Sequence, residues 1–380
     1  MKLCYLDHCA TTPPSAEVVE AMRVSMETAF YNPSSPYGPA IAVEKMLDTC
    51  RQMLLERTGG QRVIFTSGGT EANNLAILGH LDSAHRSGRV LFSAGEHPSV
   101  REACRQAAAL GFDVKEIPLL DNGVCDMEAL ESLAGADTVL ICLMQVNNET
   151  GAIQPLRQAL EVRTRKCPGA HVHVDGVQGF LRLPFRLEEV GSSSYTLSAH
   201  KIRGPKGIGA LVTSGGARLS PRVYGGGQEG GLRSGTENTP GITGMMKAVE
   251  TYPASHRMRD MKQLLYNRLR AAIPSMAPIG PDPSSCEAAD HILCLSFPPV
   301  RSEPMMNMLA QAGVYVGIGS ACGSKRQKVS MVLQAMRVPR HVAECAIRFS
   351  LGPETDEAVI TYASDACIAG YQALKRYTRR

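Results

Sequence analysis

Lys201 lies in SAHKIRGPKG, residues 198–207, behind small and polar residues and ahead of glycines. A lysine held in such a loop at the end of a strand can tether an aldehyde, provided its surroundings keep the amine partly neutral. Taken alone it reads as one more solvated surface charge. Asp175 changes the balance, because it closes the apolar run HVHVD, where a carboxylate needs either a cation or a helix to cap. The protonated ring nitrogen of pyridoxal phosphate is such a cation, and a carboxylate beside it sustains the ring as an electron sink. Gln178, in the same VHVDGVQG segment, is placed to donate to a ring hydroxyl.

TSGGTEANN, residues 66–74, runs a strand into glycines, a threonine and a helix. Unsatisfied amides and the positive end of a helix dipole bind an anion, and glycines let it come close, so Gly69 and Thr70 read as a phosphate cradle. An ordinary strand-to-helix turn has the same look, and the segment matches neither a Walker nor a dinucleotide pattern. His97 in GEHPSV follows the next strand, with a flat face for ring stacking and acid–base chemistry near neutrality; alone it reads as structural. Asn148 in VNNETG and Asn32 in YNPSS are polar groups at loop tips, each a turn residue if taken singly. Cys322 lies in GIGSACGS, a loop with glycines on both sides, ahead of a basic KRQK run. Cys142 in TVLICLMQV and Cys294 in HILCLSF, by contrast, sit in apolar runs and read as buried thiols.

The elements that must position these residues alternate regularly. From about Arg62 to Ser214, β-rich runs such as RVIFTS, VLFSAG, DVKEIPL, TVLICLMQV, HVHVDGVQG, SYTLSAHK and GIGALVTS are interleaved with helical patterns. GTEANNLAILGHL, VREACRQAAALG ending at Gly111, MEALESLAG behind the cap Asp126, and LRQALEVRTRKC are the helices. That alternation predicts a mainly parallel sheet of βαβ units, with chemistry in the loops at the strand ends. A helical run ends near Tyr252 and Pro253, so residues 15–252 are expected to form a large cofactor-binding domain. Residues 1–14 and 253–380 are expected to form a smaller α+β domain carrying the cysteine loop.

At 380 residues the chain is long enough for two such lobes, and 44% apolar against 20% charged residues is a globular balance. A net charge of +4 with interspersed signs gives no case for nucleic acid or membrane as partner. The N-terminus MKLCYLDHCATTPP has no signal-like apolar run, so the cytoplasm is the expected compartment. Twelve cysteines without paired zinc-type spacing suit a reducing environment, and no metal site is expected.

LDHCATTPP, YNPSSPYG, TSGGTEANN, GEHPSV, VNNETGAIQP, HVDGVQG, SAHKIRGPKGIGAL, GGGQEGGLRSGTEN, GSACGS and IRFSLG resemble, in order and at similar spacing, the cysteine desulfurases of the nitrogen-fixation and iron–sulfur-cluster type. The resemblance covers nearly the whole chain. It implies a fold-type-I pyridoxal-phosphate enzyme of the class V aminotransferase superfamily, acting as a homodimer. L-cysteine would become L-alanine, and its sulfur would pass to Cys322 as a persulfide for delivery to an acceptor protein. Thr70, Ser198 and His200 match phosphate ligands, with Thr236 of RSGT reaching in from the other subunit. His97, Asp175 and Gln178 match the residues that hold the ring, with His97 also a proton shuttle, and Lys201 matches the cofactor lysine. Asn32, Asn148 and Arg348 match those that orient the substrate carboxylate. The chain departs from the family pattern at His8, where asparagine is usual, at Gly230, where arginine is common, and in KRQKVSMVL after Cys322. A selenocysteine lyase or class V aminotransferase keeps the same cofactor residues, and a sulfur-relay docking protein could keep the fold; Cys322 speaks against an aminotransferase and Lys201 against a scaffold.

Overall fold

The computed structural model describes residues 4–84, 87–191, 193–253, 257–319 and 330–377. Twelve strands are formed among them: β1 (Cys4–Leu6), β2 (Arg62–Thr66), β3 (Arg89–Ser93), β4 (Asp113–Ile117), β5 (Thr138–Met144), β6 (His171–Asp175), β7 (Ser194–Ser198), β8 (Gly209–Thr213), β9 (Ala277–Pro278), β10 (Ile292–Ser296), β11 (Val314–Val316) and β12 (Ala346–Ser350). β2 to β8 make one seven-stranded sheet in the order β2-β8-β7-β6-β5-β3-β4. Its pairings are parallel except where β8 runs against both neighbours, so the predicted α/β architecture is the one observed. Both faces of the sheet are covered, which is why β5 to β8 are almost wholly buried and why β5 and β8 read as apolar runs without alternation.

The helices between these strands begin and end on local chemistry. Asp126 accepts from the amides of Glu128 and Ala129 at 3.0 Å and starts Met127–Leu133. The helix Pro98–Ala109 runs out into Gly111, whose φ of +96° is left-handed and cheap only for glycine. The helix after β2 departs from expectation. It starts as Gly69–Asn74, widens to a π turn over Leu75–Gly79 and resumes as His80–Ala84. The turn brings Gly79 against Ser220, whose amide donates to the Gly79 carbonyl at 2.9 Å. A Cβ on Gly79 would stand 2.7 Å from the Ser220 carbonyl oxygen, so no other residue fits without a shift. Such π turns replace regular bonding where a helix has to serve a site.

The remaining strands belong to a second apolar core. Leu6 of β1, Leu293 and Leu295 of β10, Val314 of β11 and Phe349 of β12 pack with Leu265, Leu309 and Ile360 from the helices Arg257–Ala272, Ser302–Gln311 and Glu357–Lys375. β1 pairs in parallel with β11, so the first strand of the chain joins the C-terminal elements. Val332, Leu333, Met336 and Ala346 pack instead into the core of the large sheet. No helix among the described residues is long and apolar enough to cross a membrane.

Candidate functional site

The carboxyl ends of β2, β3, β5, β6 and β7 open on one cavity of about 290 Å³. Open parallel sheets place ligands in this position, since loops there can vary while the strands stay fixed. Gly69, Thr70, His97, Asn148 and Asp175 line it, with Gln178, Ser198, His200, Lys201 and Arg348. These are residues singled out from sequence, drawn from segments as far apart as 69 and 348. Asn32 is exposed and stands outside the cavity, its carboxamide oxygen accepting from the Ser34 amide at 3.0 Å. Thr236 is also exposed and does not reach the cavity of its own chain. Cys322, with Lys325, Arg326 and Lys328, lies outside the described residues.

Lys201 ends a short 3₁₀ turn, Ala199–Lys201, directly after β7. Its Nζ donates to the Cys9 carbonyl and, at 2.9 Å, to the Ala10 carbonyl. The N-terminal segment is bound to the same turn by Thr12, whose amide and hydroxyl both donate to the His200 carbonyl. Gln178 donates to the Cys9 carbonyl at 3.1 Å. Burial, with Lys201 and Lys206 nearby, brings the His200 imidazole down to about 4, so it is neutral at physiological pH.

Asp175 is buried at the end of β6. One carboxylate oxygen accepts from the Val177 amide at 3.0 Å and the other from the Asn73 side chain at 2.8 Å. Asn73 was passed over in the sequence, although it stands in the TSGGTEANN segment. It also donates to Ser99 at 2.8 Å and accepts from His173 at 3.0 Å, which completes its bonding at 1% exposure. Burial lowers His97 below the ordinary imidazole value; Asp175 opposes the shift and Lys201 adds to it.

Arg348 of β12 is 2% exposed. One Nη donates to Asp7 at 2.6 Å and the other to the Asn148 carbonyl at 2.9 Å, while Nε has no partner. Burial works against its charge, but Cys9 and Asp7 hold its pKa above the arginine norm. Asp7 is a second residue not singled out from sequence, and its signal was the flagged LDHCATTPP run. Glu96 is a third. It lines the cavity, accepts from the Met144 amide through one oxygen and leaves the other unpartnered. Burial first, then Asp175, raises its carboxyl well above the usual range, which favours the protonated form.

The donor set fits pyridoxal phosphate. The first amides of the helix Gly69–Asn74, with Thr70, Ser198 and His200, form an anion cradle. Close approach is built in: a Cβ on Gly209 would meet the backbone of Gly68 at 2.8 Å, and one on Gly69 would meet Val177 at 3.0 Å. Asp175, held by neutral donors, suits a cationic ring nitrogen, and Lys201 suits the aldehyde.

The class V aminotransferase family model matches residues 4–362. The chain belongs to the class V aminotransferase family. Among relatives of this aminotransferase chain, a cysteine desulfurase IscS of Dictyoglomus turgidum is 34% identical over 369 residues, covering 95% of this chain and 92% of that one. A solved NifS-like protein has a TM-score of 0.90 at 31% identity, covering 98% of this chain and 100% of its own. A solved SspA in complex with cysteine has a TM-score of 0.81 at 28% identity, covering 93% of this chain and 99% of that one. At the departures from the pattern, His8 is buried with its Nε2 3.8 Å from Glu354. Gly230 has a left-handed φ of 62°, and its carbonyl accepts from Arg62 at 3.3 Å. A guanidinium therefore stands beside this position although the residue itself is glycine.

Proposed function

We propose that this class V aminotransferase chain is a cysteine desulfurase, which takes sulfur from L-cysteine onto Cys322 and releases L-alanine. The observation that carries the reading is the convergence of Lys201, Asp175 and Arg348 on one cavity. An amine, a ring-nitrogen partner and a carboxylate clamp are what amino-acid chemistry on pyridoxal phosphate needs together. The cysteine desulfurase relatives support the choice of substrate.

When bound, pyridoxal phosphate supplies the electron sink for the bonding pair left at the substrate α-carbon. The protein's residues do the rest. Thr70, Ser198 and His200 hold the phosphate, and Asp175 and Gln178 orient the ring. Arg348 binds the substrate carboxylate, with Asp7 and the Asn148 carbonyl fixing the plane of its guanidinium. Lys201, at Nζ, binds the aldehyde and then moves the α-proton. The Cys322 thiolate attacks the substrate sulfur: an S–S bond forms, the carbon–sulfur bond breaks, and the carbon keeps the bonding pair and gains a proton. The basic residues Lys325, Arg326 and Lys328 favour the thiolate, and a sulfur-acceptor protein then takes the persulfide.

Residues 15–252 act as the cofactor-binding lobe and residues 1–14 with 253–380 as the smaller lobe, a division supported by the separate apolar core around Leu295 and Phe349. The enzyme works in the cytoplasm as a homodimer in which Thr236 serves the neighbouring subunit's cavity, in keeping with its exposure here. Incubation of the purified protein with L-cysteine tests the reading: alanine and sulfur should appear in equal amounts. Cys322→Ser should bind pyridoxal phosphate as before and yield almost no alanine. Borohydride reduction and peptide mapping should label Lys201. Full alanine production by Cys322→Ser, or a label on Lys206, would overturn it.

A further inference from the structure

Asn73, Ser99 and His97 form a buried chain with only one self-consistent set of hydrogen positions. Asp175, as a carboxylate, can only accept, so the Asn73 group 2.8 Å from it is the NH₂. The second N–H of that amide points to Ser99 Oγ, also at 2.8 Å. The amide oxygen therefore faces His173, whose Nε2 lies 3.0 Å away and must carry a proton. Burial takes His173 down to about 4, so it is neutral and its Nδ1 accepts from Ser194 Oγ at 2.9 Å. The Ser194 oxygen, its proton committed, accepts from His171 Nε2 at 2.7 Å. Along the branch from His171 through Ser194, His173 and Asn73, each donor points towards Asp175.

The other branch ends at His97. Ser99 Oγ accepts from Asn73, so its own proton is available to His97 Nδ1 at 2.8 Å. The Ser99 backbone amide, which cannot reverse its role, donates to the same Nδ1 at 3.2 Å as part of the cap of the helix Pro98–Ala109. Two donors on Nδ1 leave no place for a proton there.

We propose that Ser99 and Asn73 are positioning residues that lock His97 as its Nε2–H tautomer, so that His97 meets the cavity as a hydrogen-bond donor and not as a base. The inference rests on the reading of the cavity as a pyridoxal-phosphate site. Neutral imidazole has one proton, and its position decides what the ring can do for a bound molecule. With Nδ1 saturated, the cavity-facing nitrogen donates to an oxygen or sulfur of a ligand, and proton abstraction falls to Lys201. The same Asn73 amide holds Asp175, so the setting of His97 and the grip on the ring nitrogen are linked through one side chain.

Nitrogen-15 NMR of histidine-labelled holoenzyme tests this, with the His97 signals identified by their loss in His97→Asn. Nδ1 should appear as an unprotonated nitrogen shifted by hydrogen bonding, and Nε2 as a protonated one. Ser99→Ala should move the Nδ1 signal towards that of a less-bonded nitrogen. The same change should lower kcat about fivefold with KM within about twofold, the effect of one lost hydrogen bond, and Ser99→Thr should restore both. Asn73→Ala should shift the His97 signal and weaken pyridoxal-phosphate retention by about tenfold together, as loss of a bond to a charged group predicts. A proton found on Nδ1, or a Ser99→Ala enzyme with unchanged signals and kcat, overturns the proposal even if alanine is formed. The expected NMR pattern in a protein that makes no alanine upholds the lock and refutes the desulfurase reading instead.

Discussion

Arg348 is worth more as a shape than as a charge. Asp7 and the Asn148 carbonyl each take one arm of its guanidinium, which holds the plane against rotation before any substrate arrives. Lysine supplies the charge without the fork, so Arg348→Lys should raise KM for cysteine by about ten- to a hundredfold, in line with the ~1.5–3 kcal/mol of a charge-assisted bond. Asp7→Asn should give a smaller rise in the same direction, and steady-state kinetics separate the two. Glu96 invites a different test. Its carboxyl is raised by burial and by Asp175, so the folded protein keeps a proton that the unfolded chain loses above 4.5. Its contribution to stability is whole below that pH and is lost as pH rises towards the folded value. Glu96→Gln has no proton to lose and can still accept from the Met144 amide. Urea unfolding of the two proteins should show a flatter pH dependence for the variant as pH rises above 4.5.

The cradle after β2 depends on backbone contact between elements. Gly209→Ala would drive a Cβ to 2.8 Å from Gly68 and force β8 and the helix start apart, at a cost of about 1–3 kcal/mol. Gly216→Ala meets nothing within 4 Å and should leave the protein as it is. Thermal unfolding compares them, and cofactor retention should fall only in the first. Strand order and the edge bearing the site were legible because apolar runs and helical periods alternate from Arg62 onward. Lys201, Asp175 and His97 were legible because polar residues end apolar strands. Asn73 was not, since a helical asparagine looks like any other until His173, Ser99 and Asp175 surround it from three distant segments. The π turn at Leu75–Gly79 was hidden for a related reason: it answers to Ser220, far along the chain.

At the scale of the molecule, Val19, Met26, Phe30, Tyr37 and Ile41 leave apolar surface exposed on the helices Ala16–Thr28 and Gly38–Thr58 and in the turn between them. Apolar surface left open in this way suits the subunit contact that the proposed homodimer needs. Sedimentation should show a dimer, and Phe30→Asp with Tyr37→Asp should shift it towards monomer and release cofactor. Acid should undo the whole chain by a separate route. His173 and His200 are held down to about 4, so their neutral forms favour the folded state above 6.5 and cost it stability as pH falls from there towards 4. The urea midpoint should drop across that window, and His173→Gln should soften the drop by up to about 3 kcal/mol. β1 has a consequence of its own. Residues 4–6 pair with 314–316, and the segment just behind them supplies the carbonyls that hold Lys201. During synthesis on the ribosome β1 must wait, unpaired, until β11 has been made about three hundred residues later, because closing so long a span is slow. The large sheet can assemble in the meantime, but the carbonyls of Cys9 and Ala10 that hold Lys201 are anchored on their β1 side only once β11 is present. If Lys201 tethers pyridoxal phosphate as proposed, a fragment cut before Val314 should retain it less well than the protein that keeps β11, and a cofactor-retention assay on the two checks this.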